Sequence, residues 1–244
     1  RFHGGSKPER ALSVAELRHM ASRRLPPFIF EYLEGGAEDE KTLHRNRAVF
    51  DEFEFVPRTL VKVGSVDLTT TLLGRPAPLP LAIAPTGFAG LFTRDGDLCL
   101  ARAAAAAGIP FTQSTVSNRL LEDVAAVPGL KHWMQIYVFR SREFTERLVG
   151  RAGDAGSEAL VVTSDATVYG NREWDRRNYR AGTEPTLRNR LSALLHPRWA
   201  LDVVAPGVPT FANIAEALPE GRRDLAAAAT WSRNEIDPDL DWER

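Results

Sequence analysis

Four short clusters of hydroxyl, amide and phenol side chains follow apolar runs in this sequence: Pro85-Thr86-Gly87, Ser114-Thr115, Gln135-Ile-Tyr137 and Thr163-Ser-Asp165. In a parallel α/β fold such positions fall at the carboxyl ends of strands, where ligands bind. Gln135 and Tyr137, two residues apart, share one side of their strand. The set is neutral and can both donate and accept hydrogen bonds, which suits a planar heterocycle carrying alternating N–H and C=O groups. No His, Asp or Glu cluster converges there, so no metal is expected. The same residues would serve equally well to cap the edge of a sheet. Just beyond them, Gly170-Asn-Arg-Glu-Trp-Asp-Arg-Arg-Asn178 holds Arg172. An Arg at the mouth of a sheet clamps a carboxylate through paired hydrogen bonds, whereas in a solvated ion-pair run it does little.

These clusters need a scaffold, and the sequence supplies its outline. Leu79–Ala84, Ile109–Thr112, His132–Val138 and Ala159–Thr163 are apolar, bounded by turn residues and too short for helices, which predicts buried parallel strands. Helical patterns fill the gaps. One runs Asp95–Ala107, with Asp95 as its N-cap and Gly108 as its stop; two more run Asn118–Val127 and Ser141–Ala155. Strand starts recur every 23 to 30 residues, the rhythm of a parallel sheet with helical crossovers. Upstream, Ser13-Val-Ala-Glu16 has the form of a capping box opening a helical segment; Gly35-Gly36 breaks that segment and Asp39–Phe50 resumes it. Residues 53–76 read as extended chain and turns. From Asp165 to Thr230 the pattern lapses, which predicts a lid or a disordered excursion. Cys99 falls in the first crossover helix, where buried packing is the expected role.

Composition narrows the classes. The chain has 244 residues, 31 basic and 32 acidic side chains and a net charge of −1, which excludes the basic footprint of a nucleic-acid binder. A single cysteine excludes an intrachain disulfide framework. No apolar run nears the roughly 20 residues needed to span a bilayer. The expectation is a cytoplasmic bacterial protein whose start, Arg1, is trimmed.

Several ordered motifs carry a resemblance. Phe30-Glu-Tyr-Leu-Glu-Gly-Gly-Ala-Glu-Asp39, Asn46-Arg47, Phe55-x-Pro-Arg58, Ala84-Pro-Thr-Gly-Phe-Ala-Gly-Leu91, Gln135-Ile-Tyr137, Thr163-Ser-Asp165 and Gly170-x-Arg-Glu-x-Asp-x-Arg-Asn178 resemble the FMN-dependent 2-hydroxy-acid oxidases and dehydrogenases over roughly residues 12 to 244. His196-Pro-Arg-Trp199 resembles their lactate and mandelate dehydrogenase branch. The resemblance implies a TIM (β/α)8 barrel. This chain would supply an N-terminal helical and extended segment (1–78) and about the first four β/α units (79–244), with a long lid loop at 166–230. It implies oxidation of an (S)-2-hydroxy acid to a 2-oxo acid with FMN. Pro85, Thr86, Gly87, Ser114, Gln135 and Thr163 would hold the cofactor. Tyr32 would bind the substrate carboxylate, Tyr137 would face the 2-hydroxyl or the developing ketone, and Arg172 would steady negative charge, which makes Tyr137 and Arg172 the catalytic candidates.

Val116 stands where many family members have an aromatic, and Asn171 replaces one Arg of a usual pair. The family's active-site Lys, its catalytic His, a second carboxylate-binding Arg and the phosphate site lie beyond the region resembled. None of His3, His19, His44, His132 or His196 matches the catalytic motif; His132 is expected at a strand start and His196 in the lid. The expected partners are therefore a small 2-hydroxy acid, the C-terminal half of the barrel, and further copies of the complete enzyme in a homo-oligomer. Residues 181–229, with Leu and Val among Arg, are expected to form a mobile lid or a segment docking peripherally on the inner face of the cell membrane; packing on the barrel is the alternative. Two other functions compete: a non-catalytic half-barrel kept as a binding or assembly module, and another flavin or phosphate-handling barrel.

Overall fold

The computed structural model describes residues 5, 7–166, 168, 170–179, 185–218 and 225–241. Its centre is a parallel three-stranded sheet of β3 (Pro110–Gln113), β4 (Lys131–Tyr137) and β5 (Ala159–Thr163), in that order, with β4 in the middle. A two-stranded antiparallel hairpin, β1 (Thr70–Leu72) and β2 (Arg75–Ala77), precedes it. Thr112 pairs with Trp133, Gln135 with Val161 and Tyr137 with Thr163. This register sets Gln135, Tyr137 and Thr163 on one face, and Met134 and Ile136 on the other. Met134 and Ile136 are buried in the main core.

Local chemistry sets the helices. α1 (Val14–Arg24) opens on Ser13, whose hydroxyl accepts from the Glu16 amide at 3.2 Å, while Glu16 reaches back to the Leu12 amide at 2.8 Å. α2 (Pro27–Glu34) begins afresh because Pro26 and Pro27 cannot continue the preceding hydrogen-bond ladder; the expected single segment is thus two helices. α3 (Lys41–Ala48) follows. α4 (Gly96–Ala107) ends at Gly108, whose φ of 69° suits glycine. Asp95 stands at its start without capping it and pairs with Arg119 instead. α5 (Leu121–Ala125) is shorter than predicted, because Asn118 and Arg119 are drawn into side-chain ties. α6 (Arg142–Asp154) is capped by Ser141, as expected.

Elsewhere the structure departs from the sequence reading. The predicted strand Leu79–Ala84 is reduced to one bridge, Ile83 to Phe111, because three prolines (Pro78, Pro80 and Pro85) remove amide donors. The hairpin gives regular pairing to the end of the stretch expected to be extended chain and turns. Cys99 is exposed rather than packed. Within the supposed loop 166–230 lie α7 (Glu173–Asn178), α8 (Leu187–Leu194), α9 (Pro197–Trp199) running into a π-helical turn Ala200–Val204, a 3₁₀ stretch Ala212–Ala217 and the start of α10 (Leu225–Glu235). Trp199, Val203, Phe211, Ile214 and Leu218 from this stretch are buried in the main core beside Phe28, Leu91 and Phe139. Trp199 also donates its indole N–H to the Leu91 carbonyl at 2.8 Å. Residues 185–218 are therefore packed structure; residues 181–184 and 219–224 lie outside the described residues.

Candidate active site at the carboxyl ends of the strands

The hydroxyl and amide residues predicted to hold a ligand meet at the ends of β3, β4 and β5. Gln135 is their hub. Its side-chain oxygen accepts from the Ser114 hydroxyl at 3.2 Å and from the Thr115 amide at 3.0 Å. Its side-chain nitrogen donates to the Thr163 hydroxyl oxygen at 2.9 Å. The Thr115 hydroxyl adds a 2.6 Å bond to the Gln135 carbonyl, a tie the sequence reading did not single out. This chain fixes the amide orientation: the oxygen faces two donors and the nitrogen faces an acceptor.

The Pro85-Thr86-Gly87 turn lies against the end of β3. The Phe88 amide donates to the Val116 carbonyl at 3.0 Å, and Pro85 and Thr86 are exposed. A Cβ on Gly87 would come within 2.6 Å of Val116 Cγ2 and 3.7 Å of Ser114 Oγ, so only glycine lets the turn approach this closely.

A second cluster forms where α2 meets α7. Arg172 donates to the backbone carbonyl of Tyr32, and its guanidinium lies over the Tyr32 ring. Asp175 forms a 2.8 Å ion pair with Arg172. Burial pushes the Asp175 carboxyl above its usual range, and the charge of Arg172 opposes that rise. Asn178 donates to Glu31, binding the same two helices again. The Tyr32 ring packs on Phe88 and Phe92. Tyr137 is half-buried at the end of β4, with its ring edge-on to Phe139. Asp175 stood inside a motif read for its Arg residues; its three-residue spacing from Arg172 was the available signal.

Among the described residues no His, Cys, Asp or Glu group suits a metal. His132 sits at the start of β4, buried between the Ser157 hydroxyl (2.8 Å) and Gln113 Oε1 (3.0 Å). Burial pushes its pKa down to about 4, so it is a neutral core residue. His196 makes a 2.9 Å bond to the Ser192 carbonyl beside α8. His3 lies outside the described residues. The donors at the strand ends suit a flavin ring: uncharged, rigidly oriented and approached closely by the Gly87 backbone.

Comparison with known proteins shows the family and the fold. The family model described as FMN-dependent dehydrogenase matches residues 21–244. An L-lactate dehydrogenase of Xanthobacter autotrophicus is 38% identical over 231 residues, covering 95% of this chain and 60% of that protein. The (S)-mandelate dehydrogenase of Pseudomonas putida is 39% identical over 232 residues, covering 95% and 58%. The crystal structure of a monotopic membrane protein, (S)-mandelate dehydrogenase, superposes with a TM-score of 0.89 at 38% identity, covering 96% of this chain and 62% of that one. Mandelate oxidase with (S)-4-hydroxymandelic acid gives 0.75 at 35% identity, covering 95% and 59%. The chain spans about 60% of the length of these relatives.

Proposed function

Because the chain belongs to the family of FMN-dependent dehydrogenases, we propose that it oxidises a small (S)-2-hydroxy acid to the 2-oxo acid, acting with further β/α units that complete a (β/α)8 barrel. The observation that carries this reading is the joint placement of two clusters: the neutral Ser114–Gln135–Thr163 chain and the Arg172–Tyr32 pair. FMN, when bound, supplies the acceptor for the two electrons that the alcohol carbon gives up.

The chain's own residues do the rest. Ser114, Gln135 and Thr163 present hydrogen bonds to the flavin ring, and the Pro85-Thr86-Gly87 turn presents its backbone. Arg172, held by Asp175 and the Tyr32 carbonyl, binds the negative charge of the substrate. Tyr32 contributes its hydroxyl to the carboxylate. Tyr137 hydrogen-bonds the 2-hydroxyl and then the carbonyl that replaces it. Aimed donors of this kind lower the barrier because they need no reorientation as charge develops.

The hydroxyl proton still needs a base tuned near neutral pH. His132 is too deeply buried and too weakly basic to serve. The base therefore comes from the added β/α units, as does the anchor for the phosphate of FMN. In the test, the chain is produced with and without those units and assayed for flavin absorbance and 2-hydroxy-acid oxidation. Turnover only with the units supports the reading. Turnover by the chain alone overturns the need for them, and a complete barrel lacking flavin overturns the activity.

The same family reading extends to a membrane surface. No helix among the described residues is long and apolar enough to cross a membrane. Yet Leu187, Leu191, Leu194, Leu195 and Leu201 are exposed on α8 and the π-helical turn, beside exposed Arg188, Arg190 and Arg198. Apolar side chains ringed by Arg suit shallow insertion among anionic headgroups. We propose peripheral docking of this face on the inner surface of the cell membrane. Co-sedimentation with anionic vesicles should fall in the pair Leu191→Ser and Leu195→Ser; unchanged binding would sink the idea.

A further inference from the structure

We infer that Phe88 is a positioning residue for the proposed reaction. Its ring, wedged between Phe211 and Tyr32, sets the turn that meets the flavin at a fixed distance from Tyr32, with Phe211 as the buttress. This rests on the reading that the Pro85-Thr86-Gly87 turn faces FMN and that Tyr32 faces the substrate carboxylate. Phe88 follows Gly87 directly and holds φ 63° and ψ 31°, in the left-handed region. A bulky side chain rarely stays there. Glu38, Glu40, Leu60 and Leu73 share a positive φ, but of these described residues only Phe88 is buried. A residue persists in such a conformation only where its surroundings over-determine it. Here they do so through both the backbone and the ring.

The Phe88 amide donates to the Val116 carbonyl at 3.0 Å, and the Phe88 carbonyl accepts from the Leu91 amide at 2.9 Å. The ring meets Phe211 edge-on with centroids 5.0 Å apart, and Tyr32 edge-on at 6.2 Å. Phe211 is itself clamped. On one side of it the Thr210 carbonyl accepts from Asn118 Nδ2 at 2.8 Å. On the other the Ala212 amide donates to the Ser117 carbonyl at 3.0 Å. Asn213, fully buried, accepts from the Leu121 amide at 2.8 Å and donates to the Arg119 carbonyl at 3.2 Å. Residues 210–213 are thus tied to residues 117–121, after β3, and Phe211 is held against Phe88. At the other end of the row, Tyr32 stacks on Phe92 with centroids 6.3 Å apart and lies under the Arg172 guanidinium. Of this row, Phe88 alone adjoins the turn. Edge-on ring pairs are directional, so shortening Phe88 or Phe211 shifts Tyr32 and the turn relative to one another.

The test uses the chain completed by its further β/α units. Phe211→Leu keeps an apolar side chain and removes the edge-on ring. Its dissociation constant for FMN, read by flavin fluorescence, should rise about fivefold. KM for L-lactate or (S)-mandelate should rise as much, with kcat within about twofold. Amide deuterium uptake should quicken in residues 84–88. Phe88→Leu should do the same, whereas Phe211→Tyr, which keeps the ring, should match the unaltered protein. Leu148→Ala, in the same core but on α6, is the control. It should lower Tm and leave FMN affinity, KM and uptake in 84–88 as they were. Unchanged FMN affinity and unchanged uptake in Phe211→Leu overturn the inference. So does an equal effect from Leu148→Ala, which would make the row ordinary core packing. If the completed protein binds no FMN or oxidises no 2-hydroxy acid, the proposed activity falls, and deuterium uptake still decides the role of Phe88.

Discussion

The guanidinium of Arg172 stands 4.9 Å from the centroid of the Tyr32 ring and donates to the backbone carbonyl of the same residue. Two helices far apart in sequence are thereby joined at the point where the proposed function puts the substrate anion. Asp175 Oδ2 lies 2.8 Å from Arg172 Nε and pairs with its charge. Arg172→Met in the completed enzyme should lower kcat/KM about 100-fold, the usual cost of one preorganised donor. Asp175→Asn, which keeps the shape and removes the charge, should act mainly on KM, raising it severalfold. Steady-state kinetics with bound flavin verified checks both, and Tyr137→Phe belongs in the same series.

Gly87→Ala tests the close approach at the first strand end. The added methyl would press on Val116 Cγ2 at 2.6 Å. Overpacking of this kind costs about 1–3 kcal/mol. A lower Tm is expected, with recovery in the double variant Gly87→Ala/Val116→Ala. Failure of the second change to restore stability would place the strain elsewhere.

His132 predicts a pH effect on stability with a definite sign. Burial lowers its folded pKa to about 4, from the ordinary 6.5. The unfolded chain therefore binds a proton at a pH where the folded chain does not. Stability from this residue is fully present above pH 6.5 and is lost as pH falls toward 4, by about 3 kcal/mol in all. Chemical denaturation across that range should show the loss, and His132→Gln should flatten it. Gln113 Oε1 can only accept, so the ring proton sits on Nε2, and Nδ1 accepts from Ser157.

Trp199 gives a measure of how firmly the 185–218 stretch is bound. It is buried and hydrogen-bonded to Leu91. Trp199→Ala should cost about 3–5 kcal/mol. A loss below about 1 kcal/mol would mean the stretch is only loosely attached.

What was legible in the sequence was whatever depends on short-range pattern. The strands at 110, 131 and 159, the Ser13 and Ser141 caps and the Gly108 stop follow from apolar runs and local donors and acceptors. The neutral chemistry of the strand ends was also visible, because alternation along β4 puts Gln135 and Tyr137 on one face. The failures have physical causes. Leu79–Ala84 had the apolarity of a strand, but its prolines left one bridge. Residues 185–218 lacked a clean helical period because their apolar side chains divide between core and surface: Trp199 and Val203 face inward, while Leu195 and Leu201 face out. The pairing of Asp175 with Arg172 has a local three-residue spacing, but the meeting of Arg172 with Tyr32, 140 residues away, is tertiary and no local pattern encodes it.

Asn118 has one further consequence. Its side chain accepts from the Gly90 amide and donates to the Thr210 carbonyl, bridging positions 28 and 92 residues away. During synthesis the first strand-end turn and the second therefore wait for Thr210 to emerge. At ribosomal speeds of about 5–20 residues per second, that delay is roughly 5–20 seconds. In the later part of that interval, once residue 163 has emerged, the nascent chain has all three central strands and still lacks this tie, and anything that guards such half-built surfaces acts on it then.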